Sequence, residues 1–123
     1  LERMPDIRFI LSHAGGTLPF LAHRIAIFDR MTRFQDNYPD GATAYMKRFY
    51  YDTALSGADA PLAALSDLVD PSHILFGTDH PYISDDVVAA ETAGLDRFAG
   101  FDDGARRMID RENAETLFPR LAG

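Results

Sequence analysis

Two short stretches end apolar runs on side chains that can hold a metal or move a proton. Ile10–Pro19, "ILSHAGGTLP", passes from apolar residues into His13, then two glycines and a proline. Ile74–Pro81, "ILFGTDHP", repeats that construction with Asp79 and His80 at its tip. A neutral imidazole binds a metal or exchanges a proton near pH 7, and a carboxylate serves as ligand or general base. Both residues also have an ordinary reading. His13 could cap the next helix, and Asp79 could bond the amides of its own turn. Asp52, in Tyr50–Ala54 "YYDTA", is an acid inside an apolar strand and needs a partner to offset its burial. Its expected role is support rather than catalysis. His80 is expected to line the wall of any site at Asp79. Arg24 is either a solvated helix arginine or a group that receives an anionic substrate. His23, on a helix, and His73, at the start of a strand, are expected to be chemically idle.

For these groups to meet, the chain must bring three strand ends together. Residues 7–12, 48–54 and 73–78 read as strands, and the first and third are nearly continuous in apolar residues, as in a parallel sheet covered on both faces. Leu18, Leu21, Ala22, Ile25 and Phe28 follow helical spacing, with Pro19 tolerated in the first turn. A short helix is expected over 42–47. Leu62, Leu65, Leu68 and Val69 mark another, begun near 59–61 and ended at Asp70–Pro71. Helices are also expected over 85–98 and 102–118, the last with Asp102 as N-cap. The result is an α/β chain with parallel strands and helical crossovers. In such sheets and barrels function gathers at the carboxyl ends of the strands, where His13, Asp52, Thr53 and Asp79 fall. Three strands are few for a complete domain. They fit the last three units of a (β/α)8 barrel, which typically needs about 250 residues. That reading predicts poorly covered strand faces in the isolated chain.

Composition narrows the classes. The 123 residues carry a formal charge of −7, with basic residues scattered among acidic ones, which argues against a nucleic-acid partner. An anionic substrate would need positive charge concentrated locally, by a metal ion or a few arginines. There is no cysteine, so any metal would be held by histidine and carboxylate. No run reaches the roughly 18 apolar residues of a membrane helix, and a cytoplasmic setting is the expectation. The chain does not begin with Met, which points to a fragment.

In order, "SHAGGTLPFLAHRI" (12–25), "FYYDTAL" (49–55) and "ILFGTDHPY" (74–82) resemble the C-terminal part of the amidohydrolase-related proteins. The branch is the one containing aminocarboxymuconate-semialdehyde decarboxylase. The closing "RENAETLF" (111–118) resembles that family's final helix. Within the branch the motifs look most like 6-methylsalicylate decarboxylases. The resemblance covers residues 1–123 and implies one TIM-barrel domain, of which this is the C-terminal part carrying strands six to eight. It implies a divalent metal, zinc or manganese, and no organic cofactor. His13 would be the sixth-strand histidine of acid–base chemistry. Asp79 would be the eighth-strand metal ligand that also acts in catalysis. Arg24 would reach the substrate carboxylate of a neighbouring subunit in a homodimer. His80 stands where an aromatic residue is more usual. The family's His-X-His pair and fifth-strand histidine have no counterpart here. One carboxylate with one histidine falls short of the three or more protein ligands of a catalytic zinc. The isolated piece is therefore expected to be inert. The implied activity of the longer protein is non-oxidative decarboxylation of a small aromatic or unsaturated carboxylic acid. Its rivals are hydrolysis of a lactone or amide at the same site, and a non-catalytic barrel fragment or partner module.

Overall fold

In the computed structural model, which describes residues 1 and 3–122, three strands form one parallel sheet in sequential order. They are β1 (Ile10–Leu11), β2 (Tyr50–Asp52) and β3 (Ile74–Leu75). Ile10 lies opposite Tyr50, and Tyr51 opposite Ile74, so all three strands point the same way and end at one edge. The crossover from β1 to β2 holds α1 (Leu18–Ala26), α2 (Thr32–Gln35) and α3 (Ala42–Lys47). The crossover from β2 to β3 holds α4 (Asp59–Leu68). After β3 come α5 (Asp85–Arg97), α6 (Asp103–Arg107) and α7 (Asn113–Leu117).

The strands are shorter than their apolar runs. A ladder needs a hydrogen-bonded neighbour at every step, and β1 has one only on the β2 side. Arg48 and Phe49 are still occupied by the turn that ends α3, donating to Tyr45 O and Met46 O. Beyond Asp52 the chain leaves the ladder to build the site.

Tyr51, Leu62, Leu65, Ile74, Leu95 and Ile109 are fully buried and join β2 and β3 to α4, α5 and the final helices. The expected poor covering is seen at β1, where Ile10 is 40% exposed, and at Phe76 just past β3, whereas Tyr51, Ile74 and Leu75 are buried. Asn113 is buried and ties the start of β3 to the last helix, its Nδ2 donating to Pro71 O at 2.8 Å and Ile74 O at 2.7 Å.

The expected helix over 102–118 begins as its sequence dictates, with Asp102 Oδ1 accepting the Ala105 N–H at 2.8 Å. Over Met108–Glu112 it widens into a π turn between α6 and α7. There Ile109 O accepts the N–H of Phe76, just past β3, at 2.9 Å. A local i→i+5 widening lets the helix serve the strand end as well as itself. At the other side of the same edge, Gly57 crosses α5 so closely that a Cβ on Gly94 would lie 2.0 Å from Gly57 O. Gly57 N–H donates to Glu91 Oε2 at 2.6 Å.

Candidate active site

Chain direction reverses sharply after β1. His13 (φ 56°), Ala14 (53°), Gly15 (75°) and Gly16 (59°) are four successive residues in the left-handed region. Glycine is required at 15 for a second reason: a Cβ there would stand 2.7 Å from Tyr51 Cε1. The turn is seated on the Tyr51 ring. That ring is fully buried, its hydroxyl donates to Met46 O at 2.8 Å, and burial pushes its pKa up to about 12.

Left-handed backbone at a non-glycine residue costs about 1–3 kcal/mol and persists only where neighbours enforce it. At His13 the enforcing group is Asp52. Its Oδ1 accepts the His13 N–H at 2.8 Å and the Ala54 N–H at 3.1 Å. Bonds to a charged acceptor contribute about 1.5–3 kcal/mol, enough to offset the turn. The His13 ring is held separately, with Nδ1 3.3 Å from Ala54 O. A carbonyl oxygen only accepts, so this contact puts a hydrogen on Nδ1, and the tautomer it selects is the one whose lone pair lies on Nε2. Ala54 O is anchored in turn by Ser56 Oγ, which donates to it at 3.0 Å.

The β3 end is tied to the same segment. Thr53 is buried, and its Oγ1 accepts from Gly77 N–H at 3.2 Å and donates to Gly77 O at 3.3 Å. A Cβ on Gly77 would sit 3.1 Å from Asp52 Cβ, so glycine lets the β3 exit run alongside Asp52. Two residues later Asp79 stands at φ 63°, the second left-handed residue of chemical interest at this edge. The turn is completed by Tyr82 N–H donating to Asp79 O at 2.9 Å, and the His80–Pro81 bond is cis.

The ordinary readings fare unequally. No side chain caps α1, so His13 is not its cap. Asp79 enters its turn through its carbonyl. Asp52 has the pairing that its position demanded, with backbone amides. His80 is mostly exposed, its Nδ1 3.9 Å from Asp85 Oδ1, and Arg24 is exposed in the last turn of α1. His73 is a packing residue, stacked on Tyr50 at 4.7 Å with Nδ1 2.9 Å from Phe49 O. The Thr53 clasp and the Ala54 carbonyl were not singled out from sequence, because their partners lie 24 and 41 residues away.

Among the described residues no three histidine, cysteine or acidic side chains converge as a metal cage. His13 and Asp79 supply ligand-competent atoms, but these residues alone do not make up the donor set of a catalytic ion. A cavity of about 760 Å³, lined by Leu18, Ile25, Phe34, Tyr45, Met46 and Phe49 among others, borders neither His13, Asp52 nor Asp79.

An imidazole and a carboxylate thus follow the carboxyl ends of the two outer strands of a parallel α/β sheet, with Asp52 at the end of the strand between them. Residues 1–120 match the amidohydrolase family, and the chain belongs to it. It is 37% identical over 124 residues to a 6-methylsalicylic acid decarboxylase of Penicillium expansum, spanning 100% of this chain and 38% of that protein. It is 41% identical over 129 residues to a 6-methylsalicylic acid decarboxylase of Aspergillus aculeatus, spanning 98% and 38%. A crystal structure of a dihydroxybenzoic acid decarboxylase from Polaromonas sp. JS666, with bound manganese and the inhibitor 2-nitroresorcinol, matches with a TM-score of 0.78 at 25% identity. That match covers 96% of this chain and 35% of the other. The chain spans well under half the length of the relatives it matches.

Proposed function

We propose that this chain supplies strands six to eight of an amidohydrolase barrel whose activity is non-oxidative decarboxylation of a small aromatic acid of the salicylate type. The observation that carries the reading is the pair of left-handed residues, His13 and Asp79, at the carboxyl ends of two parallel strands flanking Asp52. Parallel strands are spaced by about 4.8 Å, so two spacings leave roughly 9–10 Å between the backbones of β1 and β3. Side chains from the two flanks can therefore approach one small ligand seated beyond the end of β2. The decarboxylase relatives add the substrate class.

A divalent ion, zinc or manganese, held by Asp79 with donors from outside these residues, would fix the substrate carboxylate and stabilise developing negative charge. The chain's own groups do the rest. The His13 Nε2 lone pair takes up a proton from solvent, and the resulting imidazolium delivers it to the ring carbon bearing the carboxylate and returns to the neutral ring. The bond to the carboxyl carbon then breaks, its electron pair returns to the ring, and carbon dioxide leaves. The ring accepts the electrons, so no organic cofactor is required. The hydrogen on Nδ1, given to Ala54 O, keeps Nε2 as the working nitrogen. His80 forms part of the substrate wall, and Arg24 receives the carboxylate of a substrate bound in the partner subunit of a homodimer.

The test is to assay the full-length protein with salicylate-type acids in the presence of manganese or zinc. Carbon dioxide release that is abolished in the H13A/D79N double variant is expected. Full turnover by the double variant, or water uptake without carbon dioxide, would overturn the reading.

A further inference from the structure

The geometry points to Asp52 as a positioning residue: its carboxylate sets the backbone of His13, and with it the nitrogen that carries the proton. This inference rests on the decarboxylase reading above, but it concerns a residue to which that reading gives no role.

The argument starts from where the contacts converge. Three consecutive residues at the end of β2 hold both flanking strand ends. Asp52 Oδ1 takes the His13 N–H at 2.8 Å, Ala54 O faces His13 Nδ1 at 3.3 Å, and Thr53 Oγ1 clasps Gly77 from both sides. Asp52 also accepts the Ala54 N–H, at 3.1 Å. One oxygen therefore fixes the backbone of the turn and the position of the carbonyl that orients the ring. Without it, the turn keeps its Gly16 N–H bond to His13 O at 2.8 Å but loses the acceptor on the His13 N–H, and relaxation of φ from 56° would swing the imidazole off Ala54 O. A ring free of Ala54 O can take the other tautomer, with hydrogen on Nε2 and the lone pair facing away from the ligand. Misplacement of a reacting group by about 1 Å lowers rates by roughly a hundredfold.

What Asp52 contributes here is an acceptor in the right place, not a charge at the reacting atoms. That distinction gives a test. Asn keeps an acceptor oxygen at the same position, whereas Ala removes it. In the full-length protein, Asp52→Ala should lower kcat by roughly ten- to a hundredfold with KM nearly unchanged, and Asp52→Asn should recover most of the loss. Histidine ¹⁵N spectra of the same proteins provide a second reading that a general loss of stability would not move. His13 should be the Nδ1–H tautomer in the parent and in Asp52→Asn, and a mixture in Asp52→Ala. If Asp52→Ala is too unstable to purify, Asp52→Asn alone still decides: it must keep the tautomer and most of kcat.

Unchanged kcat and tautomer in Asp52→Ala would overturn the inference. So would an Asp52→Asn variant as impaired as Asp52→Ala, because charge rather than placement would then matter. Measured beside H13A and D79N, the outcomes separate. Turnover lost in those two but kept in Asp52→Ala removes the Asp52 role alone. Turnover kept in all of them removes the decarboxylase reading, and the spectra still judge Asp52.

Discussion

His13 and His73 sit at opposite ends of the sheet and make the same bond. Each directs Nδ1 to a backbone carbonyl, His13 to Ala54 O at 3.3 Å and His73 to Phe49 O at 2.9 Å. Their surroundings differ. His73 lies in a helical turn opened by Asp70, whose carboxylate accepts the Ser72 N–H at 3.0 Å, and its ring is stacked flat on Tyr50. His13 is held in a left-handed turn over bare glycine backbone. At one end of the strands the histidine fills space. At the other, the chain spends conformational strain to keep an imidazole presented, and a run of side chain-to-backbone bonds keeps it there. Strain concentrated at one edge of the sheet coincides with the proposed site.

The sharpest way to break this contrast is to remove the two rings in turn in the full-length protein. His13→Ala should lower turnover by about 10²- to 10⁴-fold with little change in melting temperature. His73→Ala should leave turnover per folded molecule unchanged while removing about 1–2 kcal/mol of stability, through the lost bond and ring stack. Equal effects on turnover would erase the distinction.

Next in size is Gly15→Ala. It forces a methyl against the Tyr51 ring at a φ of 75°, so about 1–3 kcal/mol of stability should go, and turnover should fall with it because the same turn carries His13. Asn113→Ala is its counterpart at the other end. The buried Ile74 O loses this donor, while the part-buried Pro71 O keeps the Ile74 N–H, so about 1–3 kcal/mol should go by denaturant titration. The ¹⁵N shifts of His13 should not move.

The smallest effect is a pH dependence. The Tyr51 pKa is raised to about 12 by burial, so folding favours its neutral form. Its contribution to stability is complete below the unfolded value near 10 and is lost as pH rises from there through about 12. Tyr51→Phe should flatten that alkaline decline and, at neutral pH, destabilise by about 1 kcal/mol through the lost bond to Met46 O.

Much of this architecture was legible in the sequence, and the reasons are physical. The helix over 42–47 and the one begun at Asp59 are local patterns, and both stand where spacing put them. Asp102 acts as the expected cap because capping is decided within four residues. His13 and Asp79 could be suspected because each ends an apolar run at a turn, a signal carried by adjacent residues. What could not be read were the contacts that make those turns hold. The bond from His13 N–H to Asp52 spans 39 residues, and the Thr53 clasp spans 24. The π turn at Met108–Glu112 depends on Phe76, across the fold. Apolar runs also overstate strand length, since they record burial while a ladder also needs a partner. Arg24 is exposed in the last turn of α1 and His80 lies 3.9 Å from Asp85, and neither position tests the role expected of it.

The most direct test of the working edge is the origin of one hydrogen atom. With a salicylate-type acid turned over in heavy water by the full-length protein, the product should carry a single deuterium on the ring carbon that lost the carboxylate. Carbon dioxide should appear in equal amount, and His13→Ala should abolish both. A product that keeps its carboxylate, or undiminished deuterium incorporation by His13→Ala, would contradict the assignment of this strand end to proton delivery.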